Sequence, residues 1–385
     1  MAGISQTTDE GKPKKSLRGR PDFLLLLITI ALVGFGILMV FSSSEASAYW
    51  KFHTFFYFTE RQAIWAFIGT IAMLLVMNVP YQMFQKWSRP IFVLILILLG
   101  LVIVFGTKIN GHRSWFGVGS FGIQPTEFAK LGLIIYLAAL ISKKGEHIRQ
   151  FKKGLLPLFI IVGLVLGLIM LQPDIGSDLV IFVASAIVIV AGGASLLQLT
   201  GIGLFLLPIA IGIVFAKSYR LQRFTAYLHP WNDSQDSSYQ LVQSLLALGH
   251  GGWTGTGFGK GVEKLLYLPE AHTDFIFATI GEEFGFIGCS IFLIIYILFI
   301  WRGIIVSLRC PDVFGTLFGI GVVSLIGIQA LINLGGVTGS IPITGVPLPL
   351  ISYGGSSLLI SMASIGILLN ISREGRAAGV QRTGT

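Results

Sequence analysis

From Phe23 to Ser44 the chain carries no charged side chain, and uncharged apolar runs of similar length recur to its end. A hydrocarbon layer takes about 20 helical residues to cross, because each residue adds only about 1.5 Å of rise. Repeated runs of that length therefore restrict the chain to one class, an all-α polytopic membrane protein. Composition agrees: 54% of the 385 residues are hydrophobic and 12% charged, about half the charge of an ordinary soluble domain. Cys289 and Cys310 lie in or beside apolar runs without CxxC or Cys/His spacing, so neither a disulfide framework nor a structural zinc site is expected. A net charge of +9 would point to nucleic acid in a soluble chain. In a membrane chain it marks cytoplasmic loops, and no nucleic-acid partner is expected.

The runs predict about ten transmembrane helices, at 23–42, 62–79, 90–106, 126–142, 154–171, 179–196, 201–216, 275–301, 314–334 and 351–371. An even count puts both termini on one side. With that side in the cytoplasm, the inner segments hold most of the Lys and Arg, including Lys86, Lys143, Lys152, Arg302 and Arg373. The positive-inside rule thus predicts a multi-pass protein with both termini cytoplasmic. Ala46-Ser47-Ala48 resembles a signal cleavage site, but the preceding apolar stretch exceeds the roughly 7–15 residues of a signal h-region, so an uncleaved first helix is expected. Residues 1–20 read as a disordered basic cytoplasmic tail, 21–371 as the membrane domain and 372–385 as a cytoplasmic C-terminal tail.

Between the seventh and eighth spans, residues 217–274 form a long extracytoplasmic loop. A connection of that length either binds something or contains helices of its own. Within it, 239–249 reads as a short amphipathic helix ending at Gly249. The Gly-rich stretch 251–260 offers flexible turns or backbone N–H groups for an anion. Residues 335–357, rich in Gly and Pro, read as an ordered re-entrant or capping loop lining an outer cavity.

Ionisable groups at membrane depth are costly and commonly functional. Glu127 and Lys130 fall on one face of a helix that Thr126 is placed to cap. They either neutralise each other or line a charged cavity. Asp174 and Asp178, after Pro173, stand where a plain turn with helix-capping carboxylates and a functional site are equally served. Asp274 stands where the long loop enters the eighth span, as an N-cap or as a general base on a hydroxyl. Ala278, Gly281, Gly285 and Gly288 lie beneath it on one helical stripe, open to a neighbouring helix or a ligand chain. No P-loop, HExxH or GxSxG pattern is present, which argues against nucleotide hydrolysis and against serine or zinc hydrolase chemistry.

Several motifs carry a wider likeness: Asn110-Gly111-His112-Arg113-Ser114-Trp115, Gln124-Pro125-Thr126-Glu127, Gln172-Pro173-Asp174, the stretch Leu268 to Phe275, and the region Asn333 to Ser357. In this order they resemble the SEDS (FtsW/RodA) family, over nearly the whole membrane region. Pro230-Trp231-Asn232-Asp233 and the 239–245 stretch look like its division and sporulation branch. The resemblance implies a peptidoglycan glycosyltransferase that polymerises lipid II, an undecaprenyl-pyrophosphate disaccharide pentapeptide, at the outer face of the bacterial cytoplasmic membrane. It implies a class B penicillin-binding protein transpeptidase as partner, alongside other divisome or sporulation membrane proteins. The family's essential acid maps onto Asp274 and its fourth-helix pair onto Glu127 and Lys130. Arg113, Arg220 and Arg223 join Lys130 as cations for pyrophosphate, and His272, Gln243 and Ser352 complete the expected substrate-binding set. Ser114 stands where the family often has a second basic residue. No cofactor is required by the motifs, although pyrophosphate commonly recruits a divalent cation such as Mg or Mn. A lipid II flippase and a noncatalytic scaffold that activates a transpeptidase are the competing readings. The absence of an evident repeat between 23–200 and 201–371 weighs against the former.

Overall fold

The structure is a computed structural model that describes residues 19–109, 112–117, 122–215, 218–231 and 237–383. It is a helical bundle. Among the described residues eight helices are long and apolar enough to cross a membrane, and a ninth, Ile175–Ala191, is apolar but shorter. In chain order the helices are α1 (Phe23–Phe52), α2 (Tyr57–Asn78), α3 (Tyr81–Lys86), α4 (Ser88–Phe105), α5 (Pro125–Lys144), α6 (Leu156–Met170), α7 (Ile175–Ala191), α8 (Leu196–Phe215), α9 (Ser218–Leu228), α10 (Ser237–Gly251), α11 (Ile276–Leu308), α12 (Val313–Val337) and α13 (Gly355–Thr383). Between α4 and α5, strands β1 (Thr107–Ile109) and β2 (His112–Trp115) form an antiparallel hairpin.

Two layers are distinguishable by burial. The apolar windows at α5, α12 and α13 are 72%, 67% and 72% buried, against 28% for α2 and α4. The first three form the interior. On the outer helices Phe67, Leu75, Val93 and Val104 are exposed, as they should be on faces that meet acyl chains rather than protein. Small residues let the inner helices approach. Gly321 of α12 sits against Ile134 and Val188, and Gly132 of α5 against Ile95. Without an aqueous driving force between helices, such close packing is the main source of their association.

Each element that departs from its predicted span has a local reason. The first helix runs on to Phe52 rather than ending at 42, with Ser42, Ser43 and Ser44 buried and Ala46-Ser47-Ala48 inside it. Ser43 returns its hydroxyl to the Met39 carbonyl, so the polar turn stays helical. The 217–274 segment is not one loop, since α9 and α10 lie inside it, the second covering the expected 239–249 helix. The last helix starts at Gly355 and continues to Thr383, through most of the segment read as a tail. Beyond Ile371 that sequence is polar but rich in helix-forming Arg, Glu, Ala and Gln.

One end of the bundle is tied by a polar lattice. Asp22 caps α1, forms a bidentate pair with Arg302 and donates its N–H to Ser372. Gly19 and Arg373 exchange hydrogen bonds through the Gly19 N–H and the Arg373 guanidinium, and Arg373 also reaches Asn78. Residues 19–22 and the 370–374 turn of α13 therefore lie together. The opposite end carries the motifs.

Candidate functional site at the opposite mouth of the bundle

Three consecutive backbone carbonyls, those of His272, Thr273 and Asp274, are each held by a group from the 333–353 region. The Tyr353 N–H donates to His272 at 2.9 Å, the Ser352 hydroxyl to Thr273 at 2.5 Å and the Asn333 amide to Asp274 at 2.7 Å. Ser352 also accepts from the Leu348 N–H, and its own carbonyl accepts from Gln62 of α2. The same Asn333 Nδ2 donates to the Val346 carbonyl at 2.8 Å. The last two long motifs are thus one folded unit, and its product is a fixed backbone at Asp274.

Asp274 does not cap α11. Phe275 occupies the N-cap position and makes no side-chain cap bond. The carboxylate instead lies beside Gly345, where an added methyl would stand 3.5 Å from Asp274 Oδ2. Gly345 holds a φ of 74°, a region that side chains disfavour. Asp274, Asn333, Gly336, Thr344, Gly345 and Val346 surround a small open pocket. The 335–357 segment is ordered and lines this mouth, as its Gly and Pro content suggested.

Glu127 and Lys130 are buried and paired at 2.8 Å. The pair does more than neutralise itself, because Lys130 Nζ also donates to Gln329 Oε1 at 2.7 Å, and Gln329 Nε2 donates to the Pro347 carbonyl at 3.0 Å. Gln329 and Asn333 are one helical turn apart on α12. Together they connect the fourth-helix pair to the loop and backbone that position Asp274. Thr126 is not the cap of this helix. Pro125 takes its first position with Gln124 as N-cap, and the Thr126 hydroxyl turns to Gln172 at 3.4 Å.

Asp174 is the N-cap of α7, accepting from the Ser177 N–H, and receives the Gln124 side chain at 3.2 Å. Arg113 of β2 donates to the Val104 carbonyl at the end of α4, and Ser114 to the Gln172 carbonyl. The hairpin motif is therefore anchored beside Gln172-Pro173-Asp174. Gln243 is half-buried on α10, next to Ser244, whose hydroxyl holds the Val337 carbonyl. Arg220 and Arg223 fall on α9 with side chains outside the described residues, as Asn110 and Gly111 do entirely. His272 packs against the Phe58 and Tyr353 rings at 4.4 and 5.7 Å. Burial pushes its pKa down to about 4, with Glu270 opposing and Lys51 adding to the shift. Among the described residues no group of three or more His, Cys, Asp or Glu side chains is placed to hold a metal.

The stripe of small residues below Asp274 receives protein. Gly281 meets α10 at Leu248 and the Gly251 backbone, and at Gly285, with a φ of 65°, α11 breaks. The Gly-rich loop enters that break. Thr256 and Gly257 donate to the Glu282 and Glu283 carbonyls, while Phe286 and Ile287 donate to Gly252 and Trp253. Those loop N–H groups are committed to the helix and do not face an anion. Glu283, fully buried, pairs with Lys264 at 2.7 Å and also receives the Ser42 hydroxyl. Glu282 accepts from the Val262 and Glu263 N–H groups. Burial, with Glu282 adding to it and His250 opposing, raises the Glu263 pKa. Gln329, Asn333 and the Lys264–Glu283 pair were not assigned roles from the sequence. The two amides had a signal, since an i, i+4 pair of uncharged polar residues within an apolar helix is itself unusual.

Fold and site together define a polytopic helical membrane protein that presents a positioned aspartate at one mouth of its bundle. The chain belongs to the FtsW/RodA/SpoVE family of cell cycle proteins, which matches residues 23–377. It is 44% identical to stage V sporulation protein E of Bacillus subtilis (strain 168), over 92% of this chain and 98% of that protein. It is 41% identical to a probable peptidoglycan glycosyltransferase FtsW of Geobacter sp. (strain M18), over 93% and 98%. Among solved structures, a chain of a peptidoglycan synthase complex that coordinates polymerization and crosslinking superimposes with a TM-score of 0.76 at 29% identity, covering 92% of this chain and 98% of that one. The rod shape determining protein RodA of Thermus thermophilus gives 0.66 at 28% identity, covering 92% and 97%.

Proposed function

We propose that the protein is a peptidoglycan glycosyltransferase that polymerises lipid II into glycan strands at the outer face of the bacterial cytoplasmic membrane, for septal or spore wall synthesis. The observation that carries this reading is the aspartate at the mouth. Phe275 and not Asp274 holds the N-cap position of α11, the carbonyls of residues 272–274 are each held from the 333–353 region, and the Asp274 carboxylate borders an open pocket. Such a carboxylate is suited to take the proton from the acceptor 4-hydroxyl as that oxygen attacks the donor's anomeric carbon. The lipid pyrophosphate leaves with inversion, carrying its electron pair. Arg113, Arg220 and Arg223 are the cations assigned to it. Lys130 and Glu127 act chiefly through Gln329, by fixing the 338–354 loop. A divalent cation such as Mg or Mn enters the proposal as one that the pyrophosphate brings with it. The partner is a class B penicillin-binding protein transpeptidase within a divisome or sporulation assembly. Both termini are cytoplasmic, so that the Asp274 mouth faces outward.

The test is polymerisation of labelled lipid II by the purified protein, alone and with its cognate transpeptidase, with glycan strands resolved on gels. Strand formation is expected. Transbilayer movement of lipid II without polymer would replace this reading with a flippase, and transpeptidase activation without polymer would replace it with a scaffold.

A further inference from the structure

Two basic segments meet at the end of the bundle opposite Asp274. One is the corner from α3 into α4, with Lys86 and Arg89, and the other is the connection from α5 to α6, with Lys143, Lys144, Arg149, Lys152 and Lys153. The Tyr81 N–H donates to the Asn370 side chain at 3.1 Å, which seats α3 at the end tied by Asp22 and Arg302. The Gln85 amide donates to the Ser142 hydroxyl at 3.1 Å and brings the two segments together. The connection is itself compact, with Lys144 donating to the Lys153 carbonyl and Ile148 and Leu155 buried.

These joined segments hold seven cations and a single acid, Glu146. All but Lys144 are exposed cations. Among the described residues none of the seven makes an ion pair, whereas Lys130, Lys264 and Arg302 each have a carboxylate. Like charges gathered in so tight a turn repel one another until an anion is shared among them.

The surroundings say what kind of anion. Trp87 stands between Lys86 and Arg89, and Phe151 between Arg149 and Lys152, and both rings are exposed. Exposed rings beside cations suit the headgroup layer of a membrane. Helices α4 and α6 leave from this patch and pack against each other, and neither has an acidic residue in its first turn or a side-chain cap. Their N-terminal ends add to the positive potential. Further along, their outer faces are apolar and exposed, through Val93, Leu94 and Ile97 on α4 and Ile160 and Leu164 on α6. A soluble anion would answer to the cations alone. A molecule with an anionic head and acyl chains answers to the cations, the rings and the apolar faces together.

We propose that the α3–α4 corner and the α5–α6 connection form a binding site for an anionic glycerophospholipid, its phosphate held among the cations and its acyl chains laid along α4 and α6. A zwitterionic lipid, whose own ammonium offsets its phosphate, is bound less well. The site lies apart from the Asp274 pocket and does not depend on the polymerase reading.

The experiment reconstitutes the full-length protein in nanodiscs of phosphatidylcholine with a minor fraction of phosphatidylglycerol. The protein is then re-extracted in detergent, and the lipid that stays bound is counted by mass spectrometry. Wild type is compared with Arg149→Gln/Lys152→Gln/Lys153→Gln, with Lys86→Gln/Arg89→Gln, and with a control, Lys51→Gln/Lys260→Gln/Arg309→Gln, that removes the same charge as the first variant from exposed positions elsewhere. Wild type and the control are expected to enrich phosphatidylglycerol over the bulk mixture by about tenfold, and both patch variants to lose most of that enrichment. No enrichment by wild type overturns the proposal, even if a variant fails to fold. Enrichment that survives in both patch variants overturns it, and so does an equal loss in the control, which would reduce the effect to net charge. Displacement of bound phosphatidylglycerol by soluble glycerol phosphate at matched concentration would give the patch to a soluble anion instead and overturn the lipid assignment.

Discussion

At the residue scale the decisive contrast is between holding a backbone and holding a proton. A cap role for Asp274 would make Asn an adequate substitute, since both accept from helix N–H groups. Phe275 occupies the cap position, and Asn keeps the size and the acceptor oxygen of Asp. The variant is expected to express and melt like wild type while polymerisation falls about a hundredfold or more, because an amide cannot serve as a base near neutral pH. Near-normal glycan formation on gels would remove Asp274 from the chemistry. Lys130 answers to a different argument. Replacing it by Met leaves Glu127 buried with neither ammonium nor solvent, and breaking a buried pair from one side costs about 3–5 kcal/mol. Lys130→Met should therefore lower the thermal midpoint in detergent, and the double variant Glu127→Gln/Lys130→Met should recover much of it without recovering activity, since Gln329 still lacks its donor. A single variant as stable as wild type would contradict that account. Both residues were legible in the sequence because charge at membrane depth is conspicuous. Ser352 and His272 stood inside legible motifs, yet their contributions are a hydroxyl bond to the Thr273 carbonyl and an aromatic contact. Residue type alone does not distinguish such work from substrate contact.

At the element scale, what the sequence concealed was tertiary. Hydropathy located the helices, because a run must be apolar along its length to lie in lipid, and it misplaced ends where polar turns remain helical, as in α1 and α13. It had no means to show that the Gly-rich loop fills a break in α11. That arrangement needs two glycines from distant parts of the chain to meet backbone to backbone. A methyl at Gly255 would stand 2.1 Å from the Glu283 carbonyl, and one at Gly285 would stand 2.3 Å from the Gly255 nitrogen. Each residue also has a positive φ, 80° and 65°. Gly285→Ala is expected to destabilise the protein by about 2–5 kcal/mol, backbone strain and overpacking combined. It should also weaken polymerisation, because the loop that leads to Asp274 is seated in that break. A thermal midpoint equal to wild type would show that the junction is not rigid. The corner that follows the loop has its own pH dependence. His272 falls from an ordinary 6.5 to about 4 in the fold, so the unfolded chain binds the extra proton first. Stability from this group is thus complete above about pH 6.5 and is lost as pH drops toward 4. His272→Gln should flatten the melting temperature over that interval, and superimposable curves for the two proteins would place the titration elsewhere.

Across the whole molecule, the two ends of the bundle are built from different chemistry. One end is closed by side chains that tie the entry of α1 to Arg302 and to the last turns of α13 within the membrane domain. It also gathers Lys86, Lys143, Lys144 and Arg309, the basic positions expected on the cytoplasmic side. The other end is closed by backbone, with carbonyls of 272–274 and 346–348 received by amides and hydroxyls from α12 and the loop beyond it. A basic, side-chain-locked face suits a surface held at the cytoplasm, whereas an irregular, backbone-locked face suits one that admits a polar headgroup while its lipid stays in the bilayer. Helix α12 joins the two, with exposed Arg309 just before its start and exposed Ser340 just after its end. The orientation follows as a prediction. In a chain whose Cys289 and Cys310 have been replaced by Ala, Ser340→Cys should react with a membrane-impermeant maleimide in intact cells, and Arg309→Cys only after the membrane is opened. The reverse pattern would turn the molecule over, place Asp274 at the cytoplasmic face, and leave the proposed polymerase without access to substrate on the outer leaflet.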